Sequence, residues 1–300
     1  MSPSTFHAHP APVPDYETAI ARVQSFQARE LAAPGFNPEL RTILLTHGSK
    51  TRQAILWLHG YTATPLQFKQ LAEMCFQKGC NVLVPCLPHH GMKDRMTPEV
   101  SKIKATELVR FTDEMIDLTC GLGKEVIVGG LSMAGVMAGW AAQERADINS
   151  AIIIAPFLGA RIIPAGLTKL LAYGFQLLPD NKQWWDAEKK EDCDGSDYNY
   201  PWYSTHSLSQ ILQLGFKVQS FGRRKPPAAA KIWVVINDHD GSVNNTMIIQ
   251  LVKTWQKSNA SQLQTFHFPV ELGLPHDCIS IEQPKGNTRL VYAELIRMLG

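Results

Sequence analysis

Short apolar runs alternate with helical patterns along most of the chain, and this alternation constrains the fold more than any other feature. The β-rich runs cover residues 41–45, 53–58, 81–86, 125–128, 151–155, 231–236 and 265–270. The helical patterns cover residues 17–31, 65–78, 101–119, 133–143, 244–257 and 288–298. Continuous apolar strands that alternate with helices are typical of a parallel sheet covered by helices on both faces. The sequence therefore predicts an α/β fold.

The alternation lapses between residues 156 and 227. This stretch is rich in Trp and Tyr, and residues 186–197 hold six acidic side chains against two lysines. An insertion between two halves of one sheet explains the pattern better than two separate domains. We therefore predict an N-terminal arm and helix over residues 1–35, a core over residues 36–155 and 228–300, and an inserted lid, or cap, over residues 156–227.

Two shorter segments carry local predictions. The first seventeen residues contain four prolines, and we expect them to form a loose arm. Residues 47–50, between the first two predicted strands, read HGSK. Two short β-rich runs joined by such a turn sequence indicate a hairpin.

Composition and charge exclude several classes of protein. The 300 residues include 29 basic and 27 acidic side chains, which gives a net charge of +2. No block of five like charges occurs, so we expect no nucleic-acid partner. The longest apolar stretch, residues 151–160, is about half the ~20 residues that a membrane-spanning helix needs, so we predict no integral membrane segment.

The six cysteines and the N-terminus bear on metal binding and location. No C-x-x-C pair is present, which favours buried free thiols over disulfide bridges or zinc ligands. The N-terminus has neither a basic region nor an apolar core of signal-peptide length. We therefore predict no metal site and a cytoplasmic location.

Ser132 lies between an apolar strand and a helix of small residues. The sequence GGLSMAG places it two residues after Gly130 and two before Ala134. A nucleophile elbow has this strand-turn-helix context, and it needs small neighbours because the strand and the helix nearly touch. The usual pattern is G-x-S-x-G, so Ala134 adds one methyl group. A helix N-cap serine is the alternative, and the context favours a nucleophile.

A serine hydroxyl becomes a nucleophile when a histidine accepts its proton, and the imidazole needs a carboxylate partner. Asp238 and Asp240 both follow the strand at 231–236, and His276 lies in the loop after the last predicted strand. We choose His276 as the base and Asp240 as its partner, and we expect Asp238 to cap or brace its loop. A surface-loop histidine is the alternative interpretation of His276.

Acyl transfer also needs two backbone N–H donors for the developing oxyanion. The N–H of Met133, directly after the serine, is one candidate. The N–H of Tyr61, in the loop that follows the strand at 53–58, is the other. We expect the ring of His59 to brace this loop rather than to act as the base.

Together these motifs resemble the α/β-hydrolase superfamily, in particular its carboxylesterase and monoacylglycerol-lipase-like branch. The residues that carry the resemblance are the LHGY loop at 58–61, the GLSMAG elbow at 130–135, Asp240 with Val243, and His276. The resemblance spans about residues 53–300. It implies a mostly parallel sheet of eight strands, a Ser-Asp-His triad, no cofactor and a lid inserted after the sixth strand.

One motif departs from the family's pattern. Residues 86–91 read CLPHHG and resemble the family's L-P-G-H-G turn, with His89 in place of a glycine. The departure concerns the geometry of this turn and leaves the triad unaffected.

The aromatic residues of the insertion are candidates for substrate binding, and we name Trp184, Trp185 and Tyr203. The apolar stretch LTKLLAYGFQLL at 167–178 either shields an acyl pocket or forms the core of the lid itself. No cationic cluster lies nearby, so we expect neither a phosphate nor a polyanionic leaving group.

These observations predict a serine hydrolase that cleaves a neutral, small-molecule acyl ester of short to medium chain length through an acyl-enzyme intermediate. A thioesterase, acyltransferase or peptidase with the same triad is the first alternative. A non-catalytic ligand-binding protein with a hydrolase fold is the second, because a fold does not dictate a function. The sequence makes no prediction of the oligomeric state.

Overall fold

The computed structural model describes residues 3–258 and 262–300, so the first two residues of the predicted arm lie outside it. Its helices are α1 (Tyr16–Ala32), α2 (Lys69–Gln77), α3 (Ala105–Leu122), α4 (Met133–Glu144), α5 (Ala165–Leu177), α6 (Thr205–Gly222), α7 (Asn245–Lys257) and α8 (Thr288–Leu299). Its strands are β1 (Ile43–Leu45), β2 (Thr51–Leu58), β3 (Asn81–Val84), β4 (Gly123–Leu131), β5 (Ser150–Ile154), β6 (Lys182–Trp184), β7 (Trp202–Ser204), β8 (Ile232–Asn237) and β9 (Leu263–Phe268).

Seven strands form a central sheet in the order β1-β3-β2-β4-β5-β8-β9. Strand β1 is antiparallel to β3, and the other neighbouring pairs are parallel. The predicted α/β fold with a mostly parallel sheet is confirmed. The described residues give this sheet seven strands rather than eight, and β6 and β7 form a separate antiparallel pair. Parallel strands end at the same edge of a sheet, so the loops after β2, β4 and β8 lie along one edge.

The hairpin predicted at residues 47–50 is wrong. Strands β1 and β2 are not neighbours, because β3 lies between them. Asn81, the first residue of β3, holds the connecting loop. Its Oδ1 accepts a hydrogen bond from the His47 N–H at 2.9 Å, and its Nδ2 donates to the Ser49 carbonyl at 2.8 Å. The loop therefore spans the start of β3 instead of reversing the chain in a tight turn.

The N-terminal arm is packed, and the prediction of a loose arm is wrong. The side chains of Phe6 and Val13 are buried. Trp140 Nε1, in α4, donates a hydrogen bond to the Phe6 carbonyl at 2.7 Å. The His9 N–H donates to Asp113 Oδ2, in α3, at 2.7 Å. The prolines remove some backbone donors, but the N–H groups of His9, Ala11 and Val13 find acceptors on α3, and these contacts fix the arm.

Residues 156–227, called the intervening segment from here on, connect β5 to β8. They form α5, the β6–β7 pair and α6. Helix α6 contacts α4 of the core, and α5 contacts α6. The interpretation of this segment as a lid stays a prediction.

Two further sequence expectations concern cysteines and membrane segments. The structure shows all six cysteines as free thiols, as predicted. Among the helices of residues 3–258 and 262–300, none has the length and apolar character to span a bilayer.

Candidate active site

Ser132 occupies the turn between β4 and α4, with φ of 61° and ψ of −114°. A side-chain-bearing residue rarely adopts a left-handed φ, so this turn is strained. The Ser132 N–H donates to the Ile154 carbonyl at 3.0 Å, and the Ser132 carbonyl accepts from the Phe157 N–H at 3.1 Å. The end of β5 and the residues after it therefore hold the serine in this conformation.

The small residues around Ser132 are required by close backbone approach. A Cβ on Gly130 would lie 2.5 Å from the Ala134 carbonyl oxygen, and one on Gly135 would lie 2.7 Å from the Ile154 carbonyl oxygen. Ala134 stands where the usual pattern has glycine. The Ala134 methyl group fits because Gly130, opposite it, has no side chain. A Cβ on Gly130 would lie 2.8 Å from the Ala134 methyl carbon.

His276 and Asp240 are in direct contact. His276 Nδ1 lies 2.7 Å from Asp240 Oδ2. The other carboxylate oxygen, Oδ1, accepts hydrogen bonds from the N–H groups of Ser242 at 2.8 Å and Val243 at 3.0 Å. The carboxylate is thus fixed by three hydrogen bonds and is 2% exposed.

This contact shifts both pKa values. Burial alone would raise the pKa of Asp240, but the charge of His276 and the hydrogen bonds outweigh it and lower the pKa below its ordinary value. Burial alone would lower the pKa of His276, but the Asp240 carboxylate outweighs it and raises the pKa above its ordinary 6.5. Asp240 therefore orients the imidazole and stabilises its protonated form.

Asp238, the alternative carboxylate, has a different partner. Its Oδ1 lies 2.9 Å from His267 Nδ1, in an exposed pair at the surface. Of the two carboxylates that follow β8, Asp240 is the one in contact with His276. The geometry agrees with the choice of Asp240 and with a bracing role for Asp238.

A cavity of about 290 Å³ connects these groups with the loop after β2. Ser132, His276, Met133 and Tyr61 all line it. None of the hydrogen bonds among the described residues joins Ser132 Oγ to His276. Catalytic hydrogen bonds are often formed only when substrate is bound, so this arrangement is compatible with proton transfer between the two side chains.

Two backbone N–H groups at the cavity have no acceptor among the described residues. One belongs to Tyr61, after β2, and the other to Met133, the first residue of α4. N–H groups at a helix N-terminus carry partial positive charge. The adjacent Gly60 N–H is occupied by Gln67 Oε1 at 2.8 Å, and this bond fixes the loop. Both donors predicted for the oxyanion therefore lie at the cavity.

Two buried histidines brace the loops behind the cavity. His59 Nδ1 donates to the Gly60 carbonyl at 3.0 Å, and its Nε2 accepts from the Leu87 N–H at 3.1 Å. His90 Nε2 accepts from the Thr62 N–H at 3.3 Å. Burial lowers the pKa of His59 well below 6.5 and that of His90 to about 4, so both rings are neutral. The bracing role of His59 was predicted, whereas that of His90 was missed. The sequence signal for it was the place of His90 in the CLPHHG turn at residues 86–91.

His89 stands where the family's turn has a glycine, and its backbone adopts a conformation that glycine favours. Its φ is 67°, in the left-handed region. Its imidazole contacts Glu107 at 3.1 Å and Glu99 at 3.3 Å, and these carboxylates raise its pKa. The two carboxylates therefore anchor the side chain at this strained position.

Of the three aromatic residues predicted to bind substrate, Trp185 alone lines the cavity. Its Nε1 donates to Thr62 Oγ1 at 2.9 Å. Tyr203 packs against the Trp185 ring with 4.4 Å between ring centroids, and Lys182 Nζ lies 4.8 Å from the Trp184 ring centroid. The prediction is wrong for Trp184 and Tyr203 as cavity residues. Successive side chains of an extended segment point to opposite sides, so Trp184 and Trp185 cannot both face the cavity.

The apolar stretch at 167–178 takes neither of its two predicted roles. Its five leucines are all exposed and do not line the cavity, and the buried residues of α5 are Thr168 and Ala172. The apolar part of the cavity wall comes instead from Leu131, Phe157, Leu208 and Ile211.

The polar part of the wall includes three carboxylates. Asp186, Asp194 and Asp277 line the cavity, and no lysine or arginine of the described residues does so. Lys189 pairs with Asp194 at 2.7 Å outside the cavity wall. Carboxylates lining a cleft of low dielectric make its potential negative. Anionic groups are therefore disfavoured there.

Comparisons with known proteins bear on the family and the fold of the chain. A model of the alpha/beta hydrolase family matches residues 55–285. A thermostable monoacylglycerol lipase from Bacillus sp. (strain H-257) is 28% identical over 227 residues, which cover 71% of this chain and 82% of that protein.

Solved structures show the same fold. A soluble variant of monoglyceride lipase from Saccharomyces cerevisiae, in complex with a substrate analog, has a TM-score of 0.66 and 12% identity, covering 86% of this chain and 90% of that one. The monoacylglycerol lipase of Paleococcus ferrophilus has a TM-score of 0.65 and 12% identity, covering 87% of this chain and 98% of that one. At these identities the similarity concerns the fold alone.

Proposed function

Because the chain belongs to the alpha/beta hydrolase family, we propose that it is a serine hydrolase of carboxylic esters in which Ser132, His276 and Asp240 form the catalytic triad. The observation that carries the proposal is the 2.7 Å contact between His276 Nδ1 and Asp240 Oδ2, at a cavity that Ser132 also lines. The family match and the lipase relatives support ester hydrolysis in general.

In the proposed acylation, His276 Nε2 accepts the proton of Ser132 Oγ while the oxygen attacks the ester carbonyl carbon. The carbonyl oxygen becomes an oxyanion and accepts hydrogen bonds from the N–H groups of Met133 and Tyr61. Asp240 stabilises the imidazolium that forms. The intermediate collapses as His276 gives its proton to the leaving alkoxide, and an acyl-enzyme and an alcohol result.

Deacylation repeats these steps with water. His276 accepts a proton from a water molecule, whose oxygen attacks the acyl carbon. The oxyanion forms at the same two N–H groups. When the intermediate collapses, Ser132 Oγ recovers a proton from His276 and the carboxylic acid leaves. The chemistry requires no cofactor.

The cavity walls support a neutral acyl ester as the substrate class. Leu208 and Ile211 offer an apolar wall to the acyl chain. The three carboxylates of the wall disfavour an anionic leaving group such as coenzyme A. Leu208, Ile211 and Trp185 belong to the intervening segment, so we include in the proposal that this segment acts as the lid. The free thiols are compatible with a cytoplasmic location.

The experiment that tests the proposal is Ser132→Ala, assayed with p-nitrophenyl esters of increasing acyl length. We expect kcat/KM to fall by at least about 10⁴-fold, since the attacking oxygen is lost. A fluorophosphonate probe is expected to label the wild-type protein and not the variant. Ser242→Ala is the matched control, because it removes another hydroxyl at the cavity and keeps the backbone N–H that binds Asp240.

Retention of ester hydrolysis by Ser132→Ala would refute the proposal. Faster turnover of an acyl-CoA or an aminoacyl amide than of the ester with the same acyl group would keep the triad but assign it to a thioesterase or a peptidase. Probe labelling of Ser132 without turnover of any ester would exclude simple esters as substrates.

A further inference from the structure

A buried side-chain amide of the core, that of Gln67, lies at the cavity beside the proposed oxyanion donors. Gln67 belongs to a short 3₁₀ helix, Pro65–Phe68, that follows the loop after β2. It lines the cavity and is 7% exposed. Its backbone N–H donates to the Thr64 carbonyl at 3.0 Å, and the next residue, Phe68, is fully buried and stacks on the Trp57 ring. The amide is therefore carried by a fixed part of the chain.

The contact with Gly60 fixes the direction in which the Gln67 amide is turned. The Gly60 N–H can only donate, so the amide atom 2.8 Å from it is the oxygen, Oε1. The nitrogen, Nε2, then occupies the other position of the amide, and its N–H groups have no acceptor among residues 3–258 and 262–300. Buried donors without an acceptor are rare, because they destabilise the folded protein. The cavity is the space in which an acceptor for Nε2 fits.

Nε2 lies at the gap between the loop after β2 and the turn between β4 and α4. A Cβ placed on Gly60 would lie 3.7 Å from Gln67 Nε2 and also 3.7 Å from the Leu131 carbonyl oxygen. Gly60 directly precedes Tyr61, and Leu131 directly precedes the proposed nucleophile. The two proposed oxyanion donors, the N–H groups of Tyr61 and Met133, belong to the same two segments. A third N–H donor thus lies beside the first two.

The charge of the cavity wall makes an additional donor effective. Asp186, Asp194 and Asp277 line the cavity, and the negative potential that disfavours anionic substrates also disfavours an oxyanion. A neutral N–H donor that is fixed before the reaction stabilises the oxyanion and adds no charge that would attract these carboxylates. Side-chain amides are among the groups that form oxyanion holes.

We propose that Gln67 is a catalytic residue whose Nε2 donates a third hydrogen bond to the oxyanion. Ser132 Oγ bonds to the ester carbon, its proton passes to His276 Nε2, and the π electrons of the carbonyl bond move onto the carbonyl oxygen. This oxygen accepts from Gln67 Nε2 as well as from the two backbone N–H groups. When the bond to the leaving alcohol breaks, the carbonyl forms again and the hydrogen bond weakens. The inference rests on the proposed function.

The test compares two substitutions of Gln67, with p-nitrophenyl esters as substrates. Gln67→Glu keeps an oxygen for the Gly60 N–H and loses the donor, whereas Gln67→Met, of similar length, loses both. We expect kcat to fall by about 10²–10³-fold in each variant, as for loss of one oxyanion donor in other enzymes. We expect KM to change little, because bound substrate has no oxyanion. Taking kcat from the plateau of the pH profile keeps any shift of the His276 pKa out of the comparison.

A trifluoromethyl ketone with an alkyl chain gives a second readout. Ser132 adds to its carbonyl carbon and forms a stable oxyanion in the same place, so we expect its inhibition constant to rise by the factor by which kcat falls. Gln283→Glu is the matched control. Gln283 also lines the cavity, but its Nε2 lies beside Gly195 of the intervening segment, where an added Cβ would be 2.9 Å away. The control adds the same charge to the cavity, and we expect kcat to stay close to that of the wild type.

Thermal melting establishes that each variant is folded. A loss of kcat in Gln67→Met alone would assign Gln67 to holding the Gly60 loop and would overturn the proposal. A loss in Gln67→Glu alone, or an equal loss in Gln283→Glu, would assign the effect to the added charge and would overturn it too. If Gln67→Met does not fold, the comparison of Gln67→Glu with Gln283→Glu in both readouts decides.

The proposed function and this inference fail in different ways. Ester turnover by the wild-type protein, with unchanged kcat in both Gln67 variants, would refute the role of Gln67 alone. Absence of ester turnover by the wild-type protein would refute the proposed function and the role of Gln67 with it.

Discussion

Helices α4 and α5 each follow a strand of the central sheet and each are rich in apolar residues, yet their surroundings differ. Eleven of the twelve residues of α4 are buried, against two of the thirteen residues of α5. Helix α4 contacts the sheet through β4 and β5 and also packs against α3 and α6, whereas α5 packs against α6. Apolar content alone therefore does not decide burial. Burial depends on the number of sides on which neighbouring elements cover the helix.

The residues of the proposed site also divide into two groups, those of the packed core and those of the intervening segment. Ser132, Asp240 and His276 lie on loops that follow strands of the packed core, and each is held by backbone or side-chain hydrogen bonds. The three aromatic residues expected at the cavity lie in the intervening segment, and of these three Trp185 lines the cavity. The packed core and the exposed side of α5 should thus respond very differently to substitution.

The largest effect is expected from Asp240→Asn in the packed core. Oδ1 would keep its bonds to the N–H groups of Ser242 and Val243, so the new Nδ2 would face His276 Nδ1 as a donor. The imidazole would then carry its proton on Nε2 and could not accept one from Ser132. We expect kcat for p-nitrophenyl esters to fall by about 10⁴-fold, as for loss of this carboxylate in other Ser-His-Asp enzymes.

Asp238→Asn is the control, since this exposed carboxylate lies two residues away and pairs with His267. We expect it to change kcat less than about twofold, as is usual for substitutions at the surface. The pH profile gives a second readout. Protonated His276 cannot act as a base, and its pKa lies above 6.5 because of Asp240, so wild-type activity should fall as the pH drops through a value above 6.5. Asp240→Asn should move this acidic limb to lower pH. Equal losses of kcat in Asp240→Asn and Asp238→Asn would contradict the assignment of Asp240 as the carboxylate of the triad.

The sequence predicted the packed core well because its signals are local. The apolar run before Ser132, the small residues around it and the loops after β8 and β9 are each visible within a few positions. The pairing of β1 was not predictable in this way, because the hydrogen bonds from Asn81 to the 47–50 loop join residues more than thirty positions apart. The docking of the arm on Asp113 likewise depends on a distant helix.

The orientation of α5 was not predictable for a related reason. Periodicity identifies an apolar face but does not say whether anything covers it. Here α6 offers polar groups such as Ser209 and Gln210 to α5, and these groups select the face that carries Thr168 and Ala172. Knowledge of α6 in three dimensions was needed to choose the buried side.

The second-largest effect, a loss of stability, is expected for Trp140→Ala in α4. Trp140 is fully buried, and its Nε1 donates to the Phe6 carbonyl at 2.7 Å. Its removal leaves a cavity and an unpaired carbonyl under the N-terminal arm. We expect the free energy of unfolding in urea to fall by about 3–5 kcal/mol. A loss below about 1 kcal/mol would mean that α4 is not covered on the side of the arm.

The smallest effect is expected for Leu170→Gln in α5. Leu170 is 70% exposed, so the substitution removes little buried apolar surface, and the free energy of unfolding should change by less than about 0.5 kcal/mol. Ala172→Gln is the matched control, because it places the same side chain on the face that packs against α6. Overpacking there should cost about 1–3 kcal/mol. The measurement is the free energy of unfolding of both variants in urea. A larger loss of unfolding free energy for Leu170→Gln than for Ala172→Gln would mean that the leucine side of α5 is the buried one. That result would contradict the contrast between α4 and α5.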